Sequence, residues 1–179
     1  MQNIIDFLGN AIKLKSLKRA GWVRMNIPNP ESVAEHSFFT AIFAYLLADE
    51  LDVNRDKLVQ MALIHDLAEV IVGDITPDDG VSGAEKHTAE QSAMETLTAS
   101  IGNNSPIMNV WAEAEDQTSP EAKILHQLDK LEMAFQALQY EKQFKMDLSH
   151  FWKTAEGEVR HGKLREILQS LKQQRPTHF

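Results

Sequence analysis

The 179 residues contain no cysteine. That absence excludes a disulfide framework, a thiolate metal site and a cysteine nucleophile. Long apolar runs are missing too, and no stretch approaches the roughly 20 residues that cross a bilayer. The start, Met1-Gln-Asn-Ile-Ile-Asp6, lacks the basic residues and unbroken apolar stretch of a signal peptide. Positive charge is in short supply: 18 Lys and Arg stand against 26 Asp and Glu, a net charge of −8. With no basic run, the chain is a poor partner for a nucleic-acid polymer. What remains is the expectation of a soluble, cytoplasmic protein of one domain, with no membrane partner. Its 43% hydrophobic content is enough for a sizeable core.

Period-two strands of useful length are also lacking; the apolar spacing is helical almost throughout. Ile4, Ile5, Leu8 and Ile12 recur at helical intervals, as do Phe38, Ile42, Tyr45 and Leu46, and again Leu125, Leu128, Leu131, Phe135 and Leu138. Asn54, Ser82 and Ser119 read as helix caps, the last with Pro120 at the first helical position. The pattern predicts helices at roughly 2–19, 33–51, 55–72, 83–101, 106–117, 120–145 and 149–173. The two prolines of 26–33 predict an extended, rigid connector. The expected fold class is all-α, a helical bundle.

The chemistry concentrates in Met61-Ala-Leu-Ile-His-Asp-Leu-Ala-Glu-Val-Ile-Val72. The segment is nearly all apolar, yet His65, Asp66 and Glu69 interrupt it. A buried carboxylate costs several kcal/mol unless it is paired, protonated or bound to a cation. His65 and Glu69 are an i,i+4 pair on one face of the predicted helix, and Asp66 sits one residue around from His65. Such a set can begin a divalent-metal site. Further ligands must come from elsewhere, and His36 and Asp129 also sit in apolar helical surroundings. Two imidazoles and two carboxylates suit Mn, Co, Ni, Fe or Zn, and the carboxylates also admit Mg. They leave positions open for water and a substrate oxygen.

His36, His65-Asp66 and Asp129 form the H…HD…D signature, and the chain resembles the HD superfamily of metal-dependent phosphohydrolases. The likeness extends to Gly21-Trp-Val23, Pro30-Glu-Ser-Val-Ala-Glu-His36, His65-Asp-Leu-Ala-Glu69, Val72-Gly-Asp-Ile-Thr-Pro77, Glu85-Lys86 and the segment from Ser119 to Met133. These blocks, from about residue 14 to about 142, are similar to the HD domain-containing protein 2 group and to bacterial 5′-deoxynucleotidases. The resemblance implies a single HD domain over 1–179, with a C-terminal helical extension at about 149–173. It implies that His36, His65, Asp66 and Asp129 hold the main ion and that Glu69 moves a proton or helps hold a second ion. Asp74 is implied as catalytic and, with Ile75, as part of that second ion site; Asp74, Ile75, Thr76 and Pro77 are implied as a substrate loop. Trp22 matches a substrate-side tryptophan. The bacterial enzymes carry a phosphate-orienting Arg where this chain has Gly21, so Arg19 and Arg24 become candidates for that role. Arg19 is preferred because it falls at the end of the first predicted helix.

The implied reaction is hydrolysis of a deoxynucleoside 5′-monophosphate by a homodimer. The alternatives are another HD phosphoesterase, acting on a cyclic dinucleotide, a guanosine polyphosphate or a nucleoside triphosphate, and a metal- or nucleotide-binding module without turnover. Other residues receive plainer readings. His87 falls on a solvated face with Glu85, Lys86 and Glu90, a further metal histidine being the alternative. His126 reads as a surface or core residue, support for Asp129 three positions on being the alternative, and His150, His161 and His178 read as exposed. Trp111 and Trp152 read as packing anchors, Met25, Met61 and Met133 as core fillers, and Glu113, Glu115 and Asp116 as a solvated helix end.

Overall fold

Ser32, Asn54, Ser82 and Ser119 each accept a hydrogen bond from a backbone N–H in the first turn of the helix that follows. The helices so started are α3 (Val33–Leu47), α4 (Arg55–Ile64), α6 (Gly83–Thr98) and α8 (Pro120–Phe144). Around them lie α1 (Gln2–Ala11), short α2 (Ala20–Arg24), short α5 (Glu69–Val72), α7 (Pro106–Glu115), α9 (Ser149–Glu158) and α10 (Gly162–Lys172). This computed structural model describes residues 1–102 and 105–176. Among them no strand occurs beyond one isolated antiparallel bridge between Lys18 and Ser32. The all-α expectation holds; His178 lies outside the described residues.

The core is built on α8, which packs against α3, α4, α7, α9 and α10. Leu128, Leu131, Ala134, Ala137 and Leu138 are buried on it, facing Leu58 and Met61 of α4 and Trp152 of α9. A second apolar cluster joins Phe7, Leu14, Val33, Met94, Leu97 and Trp111. Trp111 and Trp152 are packing anchors as expected, each no more than 2% exposed, and Met61 and Met133 are buried in the core.

Three predicted helices are interrupted. The first ends at Ala11, followed by a 3₁₀ turn at Ile12–Lys15, so Arg19 lies beyond that helix and is instead the N-cap of α2. It precedes α2 in extended conformation, its N–H donating to the Glu31 carbonyl at 3.1 Å, across from the two-proline connector. The stretch 55–72 breaks after Ile64, and 149–173 breaks between α9 and α10. No Gly or Pro marks the break at 65–68. There the His65 ring takes the Ala62 carbonyl at 2.9 Å, the acceptor that a continuing α-helix offers to Asp66. The backbone answers with i→i+3 bonds, from Leu67 to Ile64 and from Glu69 to Asp66.

Candidate metal centre

That break re-aims the site. In an i→i+3 register, residues three apart eclipse, so Asp66 and Glu69 share a face instead of the expected His65 and Glu69. His36 comes from the start of α3, where Ser32 and Glu35 form a reciprocal capping box. Asp129 comes from the middle of α8. These elements carry four donors to one place. His36 Nε2 lies 3.1 Å from Asp129 Oδ1 and 3.7 Å from Asp66 Oδ2, and His65 Nε2 lies 3.2 Å from Asp66 Oδ2. His36, His65 and Asp66 offer ligand atoms all within 4.8 Å of one another.

The hydrogen bonds of these atoms test whether they fit an ion. His36 Nε2, His65 Nε2, Asp66 Oδ2 and Asp129 Oδ1 are buried without a satisfying partner. Unpaired buried polar atoms are rare and costly, and four such atoms brought near one another fit a bound cation. The other ring nitrogens are engaged. His65 Nδ1–H donates to the Ala62 carbonyl, and His36 Nδ1 lies 2.5 Å from Glu132 Oε2. Each arrangement directs Nε2 at the centre, as metal-ligating histidines require. Burial keeps the His65 ring neutral by lowering its pKa. Burial opposes ionisation of Asp66 and Asp129, but His65, His36 and Arg19 around Asp66, and Lys130, His36 and Arg19 around Asp129, hold both below the usual carboxylate range.

Glu69 behaves in the opposite way. It is 4% exposed, and burial together with Asp66 and Asp74 pushes its carboxyl well above the usual range. Its Oε2 is also unpaired. Asp74 accepts the Ala20 N–H at 2.6 Å and lies 3.8 Å from Arg19 Nε. The same guanidinium is 3.6 Å from Asp66 Oδ2 and 4.0 Å from Asp129 Oδ1. Arg19 thus stands among the carboxylates of the centre. Arg24 does not: it binds Thr76 Oγ1 and Asp79, and lies 3.7 Å from Asp78. It ties down the loop, where Ile75 and Thr76 are half-buried and Pro77 is exposed. At Gly21 a Cβ would come 3.1 Å from the Phe151 ring, so the Arg of the bacterial pattern has little room there.

The resemblance puts Trp22 on the substrate side. Its ring is 1% exposed, 4.1 Å from the Phe151 ring and edge-on to Tyr140, and it reaches the site by donating Nε1–H to Glu31 Oε1 at 2.8 Å. Glu31 is pushed up to about 7 by burial and by Glu132. The sequence reading missed both glutamates; the available signal for Glu132 was its place three residues after Asp129 inside an apolar run.

It also misjudged α6 and α7. A cavity of about 250 Å³ opens onto His65, Asp66 and Asp129, with Lys86, His87, Glu90, Glu115, His126 and Lys130 among its walls. Glu90 is 5% exposed, and Glu115 is pushed up to about 7 by burial and by Glu90, so neither belongs to a solvated face. His87 is half-buried, its ring parallel to Trp111 at 6.3 Å. His126 pairs with Glu158 at 3.2 Å; His150 is exposed, whereas His161 is half-buried. The periodicity could not reveal this because the polar side chains close over a hollow, and a hollow leaves no apolar stripe.

An all-α bundle whose core helices converge two histidines and two aspartates on one centre defines a metal-binding helical protein, and the chain belongs to the HD domain family, whose profile matches residues 11–171. Among its relatives is a Danio rerio protein named 5′-deoxynucleotidase HDDC2, 41% identical, covering 100% of this chain and 91% of that one. The Homo sapiens protein of the same name is 36% identical over 99% of this chain and 89% of that one. Among solved structures, a conserved hypothetical protein from Pyrococcus furiosus superposes with a TM-score of 0.81 at 31% identity, covering 94% of this chain and 99% of that one.

Proposed function

We propose that this chain is a metal-dependent phosphomonoesterase that hydrolyses deoxynucleoside 5′-monophosphates to deoxynucleoside and phosphate. One observation carries the reading: four buried, unpaired donor atoms converge beside a cavity of about 250 Å³. The relatives named 5′-deoxynucleotidase supply the substrate class. His36, His65, Asp66 and Asp129 hold the divalent ion. When bound, that ion supplies Lewis acidity, polarising a phosphoryl oxygen and lowering the pKa of its water.

The chain's own side chains supply the rest. Glu69, whose carboxyl is pushed well above the usual range by burial and by two neighbouring aspartates, either passes a proton to the departing sugar oxygen or helps hold a second ion. Arg19 balances Asp66, Asp74 and Asp129, keeping three carboxylates together beside an anionic substrate. Asp74, joined to the Ala20 backbone, holds the 74–77 loop toward the centre, and Glu69, Asp74 and the Ile75 carbonyl are the set for a second ion. Arg24 fixes the far side of that loop through Thr76 and Asp79.

We also propose a cytoplasmic homodimer, with the motif core at about 14–142 and α9–α10 as its extension within one domain of 1–179. Ile4, Leu8, Phe38, Ile42, Tyr45 and Leu46 are exposed, which supports burial of α1 and α3 against a second copy. No described helix is long and apolar enough to cross a membrane.

The test is released phosphate from a panel of nucleoside mono-, di- and triphosphates, with Mn, Co, Ni, Fe, Zn or Mg and with EDTA. Turnover confined to deoxynucleoside monophosphates and abolished by EDTA is expected. Hydrolysis of triphosphates alone, or none in any metal, overturns the reading. His65→Ala and Asp66→Ala should each lose metal and activity together by elemental analysis; a variant that retains stoichiometric metal is not missing a ligand.

A further inference from the structure

The cavity beside the metal centre has an unbalanced lining. Asp66 and Asp129 have Arg19 and the metal ion to balance them, but Glu90 and Glu115 also line it, and a phosphate monoester would add up to two more negative charges. Isolated anions in such a space are unstable without fixed cations. Neither Arg19 nor Arg24 is among the lining residues; the fixed cations among the described residues that line it are Lys86 and Lys130.

The two lysines differ in what already holds them. Lys130 Nζ lies 2.8 Å from Oδ2 of Asp129, so its charge is spent on a metal ligand. Lys86 Nζ lies 3.5 Å from Glu90 Oε1, a looser pair that takes one of its three N–H donors. The Lys86 side chain is 37% exposed, its carboxylate 6%, so the ammonium stands at the cavity mouth on a buried anchor. Burial opposes its charge, but Glu90, Glu69, Asp66 and Glu115 outweigh that and keep it an ammonium. Its backbone is rigid as well. Lys86 is in the first turns of α6, started by the reciprocal Ser82–Glu85 capping box.

We propose that Lys86 is a substrate-binding residue of this site, its ammonium donating to a phosphoryl oxygen of the bound monoester while Glu90 holds the side chain in place. The proposal rests on the reading of the site as a phosphomonoesterase, and names the residue that performs the phosphate recognition assigned by resemblance to an arginine.

The experiment uses the metal-loaded full chain, with inorganic phosphate as the probe in calorimetry and as a competitive inhibitor. Lys86→Met should weaken inorganic phosphate roughly 10- to 100-fold, the range for losing one charge-assisted hydrogen bond, and raise KM for the monophosphate comparably. Metal content and the affinity for the unphosphorylated deoxynucleoside should not change, which a merely structural role would not spare. Lys86→Arg should restore most of the phosphate binding. Should Lys86→Met fail to fold, Lys86→Gln replaces it under the same criteria. Phosphate binding within twofold of wild type in the neutral variant, or none in the wild type, overturns the proposal. A wild-type chain that hydrolyses no nucleotide yet binds phosphate through Lys86 defeats the phosphomonoesterase reading alone. Turnover with phosphate binding indifferent to Lys86 defeats this proposal alone.

Discussion

Glu132 Oε2 lies 2.5 Å from His36 Nδ1, with both side chains buried and Glu132 three positions after Asp129 on α8. One helix therefore supplies both a carboxylate for the centre and the group that orients a histidine from another helix. Partners of this kind fix the ring and raise its basicity. Glu132→Ala should weaken divalent-ion affinity by roughly 10- to 100-fold, and Glu132→Gln, which retains an acceptor, by less. Competition against a fluorescent chelator measures both. Equal affinity in wild type and Glu132→Ala removes the orienting role.

Glu69→Gln separates proton transfer from ligation. The amide preserves the volume of a residue that is 4% exposed, so the fold and the main ion should remain. Turnover should fall by roughly 10²-fold or more while KM moves little. Loss of the ion with the activity would instead make Glu69 a primary ligand.

Arg19→Ala and Arg24→Ala should diverge. Removing the guanidinium from among Asp66, Asp74 and Asp129 leaves buried like charges, costing metal-free stability about 3 kcal/mol, and bound ion should recover part of it. Activity should fall in both kcat and kcat/KM. Arg24 is more exposed and its charge meets Asp78 and Asp79 of the 76–79 turn, so its loss should cost much less. Denaturant melts with and without metal, alongside kinetics, compare them; the reverse ranking moves the role to Arg24.

Metal-free protein should lose stability toward alkaline pH more steeply than loaded protein. Burial and Arg19 oppose charge on His36, yet Glu132 and Asp129 prevail and raise it to about 10 from an ordinary 6.5. A pKa raised on folding contributes stability that is complete below the unfolded value and lost as pH climbs through the folded one. The window is therefore about pH 6.5 to 10. A bound ion takes the Nε2 lone pair and removes that titration. Thermal melts at pH 7 and 10 test this, and parallel losses in the two forms reject it.

Helicity, the boundaries set by Asn54, Ser82 and Ser119, and His36, His65, Asp66 and Asp129 as candidate ligands were legible in the residues alone. Caps and apolar periodicity are local, and a charged residue inside an apolar run is conspicuous wherever it falls. The break at 65–68 has a local cause, the contest between the His65 ring and the Asp66 N–H for the Ala62 carbonyl, but it leaves no Gly or Pro behind to mark it. Tertiary structure decided the distant pairings. It alone decided that Glu132 serves His36, 96 residues away, and that Arg19 joins Asp66, Asp74 and Asp129. It also turned Lys86, Glu90 and Glu115 from an apparent solvated surface into the wall of a cavity. The reason is the same in each case. A polar side chain's partner is set by which helices pack together, and sequence spacing records only the helix to which that side chain belongs.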